Sequence, residues 1–284
     1  MKDSIVFNRF QRAVDATTAD SFKTFVAAGP SLAPKDRETA FAASPGLRLY
    51  DEALDKVLRE TAETSVAAGD TPAVWFLYNM GIVVKTPRAL FAIDIAHRQG
   101  VRLAPLLDFA LITHNHDDHW LPDFYFKVDG AGKTVVSNFL DNYRAFRSEK
   151  GNPGGYSRGK RTLRLADATI RVAPSDHNGY LKNFTSTFEI SVGDWTLYHT
   201  GDSSNLAKLN PTHTPDLWFV HPRCGLDVTA AVRKFHPRRT VIGHLCELGH
   251  TKWRWTLADG LDEAAKAEAA GTEAIVPLWG QRIQ

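Results

Sequence analysis

Residues 108–120 read DFALITHNHDDHW. An apolar run stops abruptly, and positions 114–119 then hold three histidines and two aspartates. The run DFALIT has the composition of a short buried strand, so the polar cluster falls at a strand end, held by rigid structure yet open to solvent. In extended or loop backbone, residues two apart point the same way, so His114 and His116 can converge on one cation. Asp118 and His119 follow across the turn and can reach a second. Imidazole nitrogen combined with carboxylate oxygen suits zinc, and also iron or manganese.

One cluster cannot complete two sites. The rest of the chain offers further donors, each just after a predicted strand: His177 in RVAPSDHNG, Asp202 in WTLYHTGDSS and His244 in RTVIGHLCELGH. The two oxygens of Asp202 can bridge two cations, while His177 and His244 can each close one site. Eleven histidines is a high count, and histidine is the commonest metal ligand and the usual proton carrier near neutral pH.

Composition sets the frame. The 284 residues are 43% hydrophobic and 23% charged, enough for a sizeable core in an ordinary globular protein. A net charge of +2 is no overall signature of a polyanion binder. Two cysteines, Cys224 and Cys246, make no disulfide framework and fit a reducing compartment. The opening MKDSIVFNRFQRAVDATTAD has no apolar h-region, and no apolar run approaches the ~20 residues of a membrane span. The expectation is a soluble, cytoplasmic protein with no membrane partner.

Residues 1–70 read as helical. LYDEALDKVLRETAET sets Leu49, Ala53, Leu54, Val57, Leu58 and Thr61 on one helical stripe, which serves as a burial face. Phe7, Phe10, Val14, Phe22 and Phe25 form a weaker pattern before it. From residue 73 the runs turn β-branched and aromatic. AVWFLYNMGIVVKT, ALFAIDIA, DFALIT, KTVVSN, TLRLADATIRVAPS, TSTFEISVGDWTLYHT (a hairpin turning at Gly193-Asp194), DLWFVHP, RTVIGH and EAIVPLW predict strands. FLDNYRAFR, DVTAAVRKF and TLADGLDEAAKAEAAG predict helices, and SEKGNPGGYSRGKR a loop. This is an α/β pattern of stacked sheets covered by helices. It divides as a helical N-terminal extension, 1–70, and a catalytic domain, 71–284.

HNHDDH matches the H-x-H-x-D-H motif, and with His177, Asp202 and His244 in order the chain resembles the metallo-β-lactamase superfamily from residue 73 onward. Within it, VPLWGQ near the C-terminus makes the chain look most like the ascorbate-6-phosphate lactonase-like hydrolases. The resemblance implies a four-layer αβ/βα sandwich with the site at one edge. It implies that His114, His116 and His177 bind one metal, that Asp118, His119 and His244 bind the other, and that Asp202 bridges them. It also implies that Asp94, in FAIDIA, supports the metal loop through hydrogen bonds.

Two cations sharing a water lower its pKa from ~15.7 toward ~7 and polarise the bond under attack. The expected cofactors are therefore two divalent ions, with Zn2+ favoured and Mn2+ or Fe2+ as alternatives. Asp118 is expected to orient the bridging hydroxide and shuttle a proton besides ligating. His199 and Arg223 are further catalytic candidates; Arg223 or Lys252 could hold a phosphate or carboxylate, and His250 follows closely after His244. Asp117 reads as a solvated carboxylate, and Trp120 as either a pocket-shaping or a packing residue. Cys224 and Cys246 read as buried thiols, and His97, His213, His221 and His236 as structural or surface residues.

Three readings follow. The favoured one is a dinuclear hydrolase of a small-molecule lactone or (phosphorylated) ester. The second is a phosphodiesterase or nuclease, since Arg144, Arg147, Lys150, Arg158, Lys160, Arg161 and Arg164 face only Glu149 in their stretch; no aromatic stacking pattern accompanies them, so nucleic acid is disfavoured as a partner. The third is a non-catalytic metal-binding protein. Residues 1–70 could serve as a lid over the site or as a contact between copies in a homo-oligomer.

Overall fold

The β-branched and aromatic runs pair into two sheets. The computed structural model describes residues 4–137, 159–179, 181–250 and 252–284. Its strands are β1 (Ala73–Tyr78), β2 (Gly81–Lys85), β3 (Leu90–Ile93), β4 (Phe109–Leu111), β5 (Thr134–Val136), β6 (Arg161–Leu165), β7 (Ala168–His177), β8 (Leu181–Val192), β9 (Trp195–His199), β10 (Leu217–Val220), β11 (Arg239–Ile242), β12 (Glu273–Ile275) and β13 (Gln281–Arg282). One sheet runs β13-β1-β2-β3-β4-β5, the other β12-β11-β10-β9-β8-β7-β6. Strands β3, β4 and β5 are parallel, as are β9, β10, β11 and β12. Every residue of β1, β4, β9 and β10 is buried, as expected where both faces of a sheet are covered.

The N-terminal stretch forms α1 (Ser4–Asp15), α2 (Ala19–Ala27), α3 (Pro34–Ala43) and α4 (Pro45–Glu63). The stripe of α4 buries Leu47, Tyr50, Leu54 and Val57, and α4 packs on β1. Tyr50 meets Tyr78 edge to face at 4.8 Å, and Phe10 meets Trp279 in the same way at 4.8 Å. The helices thus share one apolar core with the sheets. Arg254 ties them further, donating to the carbonyls of Val14 and Thr17 and to those of Glu247 and Leu248. On the second sheet, α7 (Leu257–Ala269) covers β11 and β12 beside α6 (Val228–Phe235). A capping box of Thr256 and Asp259 starts α7, and Gly271, at φ 108°, follows its end.

Two expectations change. A helix not anticipated, α5 (Pro122–Gly130), follows the His/Asp cluster and packs on β4 and β5. EAIVPLW is not one strand: β12 ends at Ile275, the chain turns through Pro277, and β13 crosses to the other sheet to pair with β1. Gly280 sits at φ 71° against Ala53, where a Cβ would meet backbone at 3.0 Å. The helix expected at FLDNYRAFR lies outside the described residues, as do Arg144, Arg147, Glu149, Lys150 and Arg158 of the basic stretch. Among the described residues no helix is long and apolar enough to cross a membrane.

Candidate metal centre

Parallel strands place their C-terminal ends on one edge, the usual place for a ligand crevice in α/β sheets. Asp94 follows β3, His114 to His119 follow β4, Asp202 follows β9, His221 follows β10 and His244 follows β11. His177 ends β7 and bridges to Ser203. The backbone is held in unusual conformations here. Asp94 and His244 are left-handed at φ 51° and 58°. Gly201 is at φ 50°, and a Cβ on it would meet Thr113 at 2.8 Å, so the Asp202 loop lies directly on the His114 loop.

The donor atoms converge. Ligand-capable atoms of His114, His116 and His177 lie within 4.8 Å of one another, as do those of His114, His119 and Asp202, of Asp118, His119 and His244, and of Asp202, His221 and His244. The Asp202 carboxylate is central: Oδ1 lies 3.2 Å from His119 Nε2, and Oδ2 lies 3.4 Å from His177 Nε2 and 3.5 Å from His244 Nε2. Asp118 Oδ2 is 2.9 Å from His244 Nε2. Other groups fix the outer sides of these residues. Asp94 Oδ2 faces His119 Nδ1 at 2.9 Å and accepts from Thr113 Oγ1, whose oxygen lies 3.0 Å from His114 Nδ1. Asn79 Nδ2 donates to Asp118 at its carbonyl and carboxylate.

The donor set fits metal ions. His119 Nε2, both ring nitrogens of His177 and of His221, Asp202 Oδ1 and His244 Nδ1 are buried with no hydrogen-bond partner. Each such group costs about 1–3 kcal/mol unless something satisfies it. Charge points the same way. Burial opposes charge on His119, yet Asp202, Asp118 and Asp94 outweigh it and raise its pKa well above the usual histidine value. His244 is raised against burial by Asp202 and Asp118. Burial also opposes ionisation of Asp118 and Asp202, but neighbouring histidines, His119 foremost, hold both below the usual carboxylate range. Burial and like neighbours lower His114, His116 and His221, the last to about 4, so their nitrogens carry free lone pairs at neutral pH.

Two catalytic candidates lie elsewhere. His199 is buried, stacked on Phe219, with Nε2 on the Met80 carbonyl at 3.0 Å and Nδ1 accepting from Gly201 N–H. Both nitrogens are committed to backbone, so it shapes the fold beneath the site. Arg223 turns to α7, 3.0 Å from Asp259, and lies over Trp255. Lys252 is exposed, and so is Asp117.

The geometry invites comparison with known proteins. In Bacillus subtilis, the metallo-β-lactamase fold protein YhfI superposes with a TM-score of 0.54 over 74% of this chain and 98% of its own, at 14% identity. CmlA from Streptomyces venezuelae, a diiron β-hydroxylase, does so with a TM-score of 0.54 over 76% of this chain and 54% of its own, at 15% identity. This chain has the metallo-β-lactamase fold. In sequence, a UPF0173 metal-dependent hydrolase of Carboxydothermus hydrogenoformans is 35% identical over 105 residues, 34% of this chain. The match spans only 44% of that relative's length. No protein-family model matches the chain.

Within this fold the site includes residues that sequence reasoning passed over. His221, expected to be structural or at the surface, stacks face to face on His244 at 3.8 Å with its Nδ1 3.2 Å from Asp202 Oδ2. The signal was present: His221 is the first residue beyond a strand lying between the two that deliver Asp202 and His244. Phe184 packs against the rings of His114, His116 and His177. Glu247 is buried, accepts from Tyr78 Oη at 2.9 Å and from two backbone N–H groups, and holds His250 Nδ1 at 2.9 Å. A pocket of about 230 Å³ opens between α2 and this loop, lined by Phe22, Tyr78, Asp118, Leu121 and His250 among others.

Proposed function

We propose that the protein is a metal-dependent hydrolase of a small-molecule lactone or (phosphorylated) ester. The observation that carries this reading is the convergence of buried, unpartnered histidine and carboxylate atoms beside a small pocket that contains Asp118. The likeness to a metal-dependent hydrolase in sequence supports it. His114, His116 and His177 would hold one cation, Asp118, His119 and His244 the other, and Asp202 would lie between; the donor set suits Zn2+, with Mn2+ and Fe2+ as alternatives. Bound there, the cations supply Lewis acidity at the scissile bond and a water acidified toward neutral pH.

The chain's own groups then divide the remaining work. Asp118 is ionised and lines the pocket, so its carboxylate accepts a hydrogen bond from the attacking water and orients it. Phe22, Val26 and Leu121 line the pocket and exclude bulk water. Lys23 and His250 line it too. Glu247 raises His250 to about 9, so its imidazolium is present near pH 7 and suits a substrate phosphate or carboxylate.

The test is metal content of wild type and Asp202→Ala by elemental analysis, paired with hydrolysis of a lactone, a phosphate ester, a phosphodiester and a β-lactam. Bound metal that is lost in the variant, together with activity on the lactone or ester, is the expected result. Turnover of the phosphodiester alone would transfer the reading to a phosphodiesterase. A wild type that takes up no transition metal on reconstitution would end it.

A further inference from the structure

We infer that His221 is itself a metal ligand, an added imidazole donor to the cation position served by His244 and Asp202. The inference rests on the proposed metal centre and adds a residue to it.

The chain supplies its own control for what a structural histidine looks like. His97 is buried with Nε2 on the Tyr50 carbonyl at 2.8 Å and Nδ1 accepting from Gln99 N–H. His199 is buried with both nitrogens on backbone groups in the same way. His221 is equally buried, at 7% exposure, yet neither of its nitrogens makes an aligned hydrogen bond: Nδ1 only approaches the Asp202 carboxylate and Nε2 has no partner. A histidine kept only for packing would leave two polar atoms unsatisfied, at about 1–3 kcal/mol each. Four of the predicted ligands, His119, His177, Asp202 and His244, carry orphaned atoms of the same kind.

Position agrees. His221 Nδ1 lies 3.2 Å from Asp202 Oδ2, and a donor nitrogen of its ring, a donor atom of Asp202 and one of His244 fall within 4.8 Å of one another. Register explains why: Val220 pairs with Ile242 on β11, so the residue after each strand, His221 and then Gly243-His244, emerges at the same edge. The backbone is anchored. The Cys224 thiol donates to the His221 carbonyl at 3.1 Å and to the Ser203 carbonyl at 3.0 Å, which ties His221 to the loop carrying Asp202. An added imidazole lifts the protein donors there above the four of a tetrahedral zinc site and favours a cation that accepts five or six ligands, such as Mn2+ or Fe2+.

The ring also stacks on His244, so the variant must separate stacking from ligation. His221→Phe keeps a ring and removes both nitrogens. Chelator competition on His221→Phe should show one cation bound at least about 100-fold more weakly, since loss of even an outer partner typically costs 10–100-fold. The Co2+-substituted variant should show a changed visible spectrum, with the fold retained by circular dichroism. Should the variant not fold, proton NMR of the Co2+-loaded wild type decides: a ligating histidine contributes a shifted ring N–H, and His221 must contribute one. Unchanged affinity and spectrum in His221→Phe, or no shifted resonance from His221, would overturn the inference. A wild type that binds no metal at all would instead remove the proposed function beneath it.

Discussion

Asp94→Asn isolates what the metal-loop carboxylate does. Asp94 is fully buried and left-handed, a conformation asparagine tolerates as well as aspartate, so backbone strain cancels in the comparison. Its Oδ1 accepts from Thr113 N at 2.8 Å, and its Oδ2 faces both Thr113 Oγ1 at 2.6 Å and His119 Nδ1 at 2.9 Å. The asparagine oxygen can keep the first bond. Its NH2 group cannot accept the other two. With Thr113 donating to Asp94, the hydroxyl oxygen is free to accept from His114 Nδ1. The carboxylate therefore orients His119 directly and His114 through Thr113, one ligand from each proposed cation position. Hydrogen bonds to a charged group contribute about 1.5–3 kcal/mol each, so the variant should lose about 3 kcal/mol of stability. Affinity at both positions should fall together, by about 10–100-fold. Denaturant unfolding of metal-loaded and metal-stripped protein gives the first number, and chelator competition the second. Thr113→Val should weaken chiefly the His114 position. A lower unfolding midpoint with unchanged metal affinity would refute the relay and leave Asp94 as a structural carboxylate.

Removal of metal by a chelator should lower the melting temperature, since the buried donors lose their partner; at 100 times the dissociation constant the metal contributes about 2.7 kcal/mol, and an unchanged melt would contradict the centre. His250 is raised to about 9, first by its hydrogen bond to Glu247 and against partial burial. A group raised in the folded state contributes stability below its unfolded value, ~6.5, and loses it as pH climbs through about 9. Wild type should therefore lose about 1 kcal/mol relative to His250→Ala over that window, the side chain being partly exposed and screened; parallel stability curves for the two proteins would show that the pair contributes nothing. Arg223→Ala should leave metal content unchanged and cost about 1 kcal/mol, from its ion pair with Asp259 and its stacking on Trp255. Loss of metal in that variant would return Arg223 to the site.

The sheets were legible because their runs are local signals: β-branched and aromatic stretches between turn residues, such as the hairpin at Gly193-Asp194. What escaped depended on partners distant in sequence. The start of α5 carries a proline at its first position, but Leu121 in the capping place offers no side-chain bond, and its buried Phe124, Tyr125 and Val128 make too short a stripe to stand out. The two-residue β13 exists only because β1 presents an edge to it. EAIVPLW has strand composition throughout, and composition does not say that its end changes sheets.

The site divides in the same way. His114, His116, Asp118 and His119 share one short segment, and their types and spacing suit a metal ion without reference to the fold. His177, Asp202 and His244 could be picked out as polar residues at strand ends, in an order the resemblance supplied. His221 satisfied the same strand-end criterion in DLWFVHP, but Arg223 drew attention because it carries charge. The difference between them is direction. The first residue past a parallel strand continues at the edge where its neighbours deliver their donors, whereas Arg223 lies inside the turn Pro222–Cys224 and faces the acids of α7. Strand order decides that, since β10 lies between the strands that bring Asp202 and His244. A histidine in that position, with no aligned hydrogen bond to either nitrogen, belongs with the ligands rather than with His97 and His199.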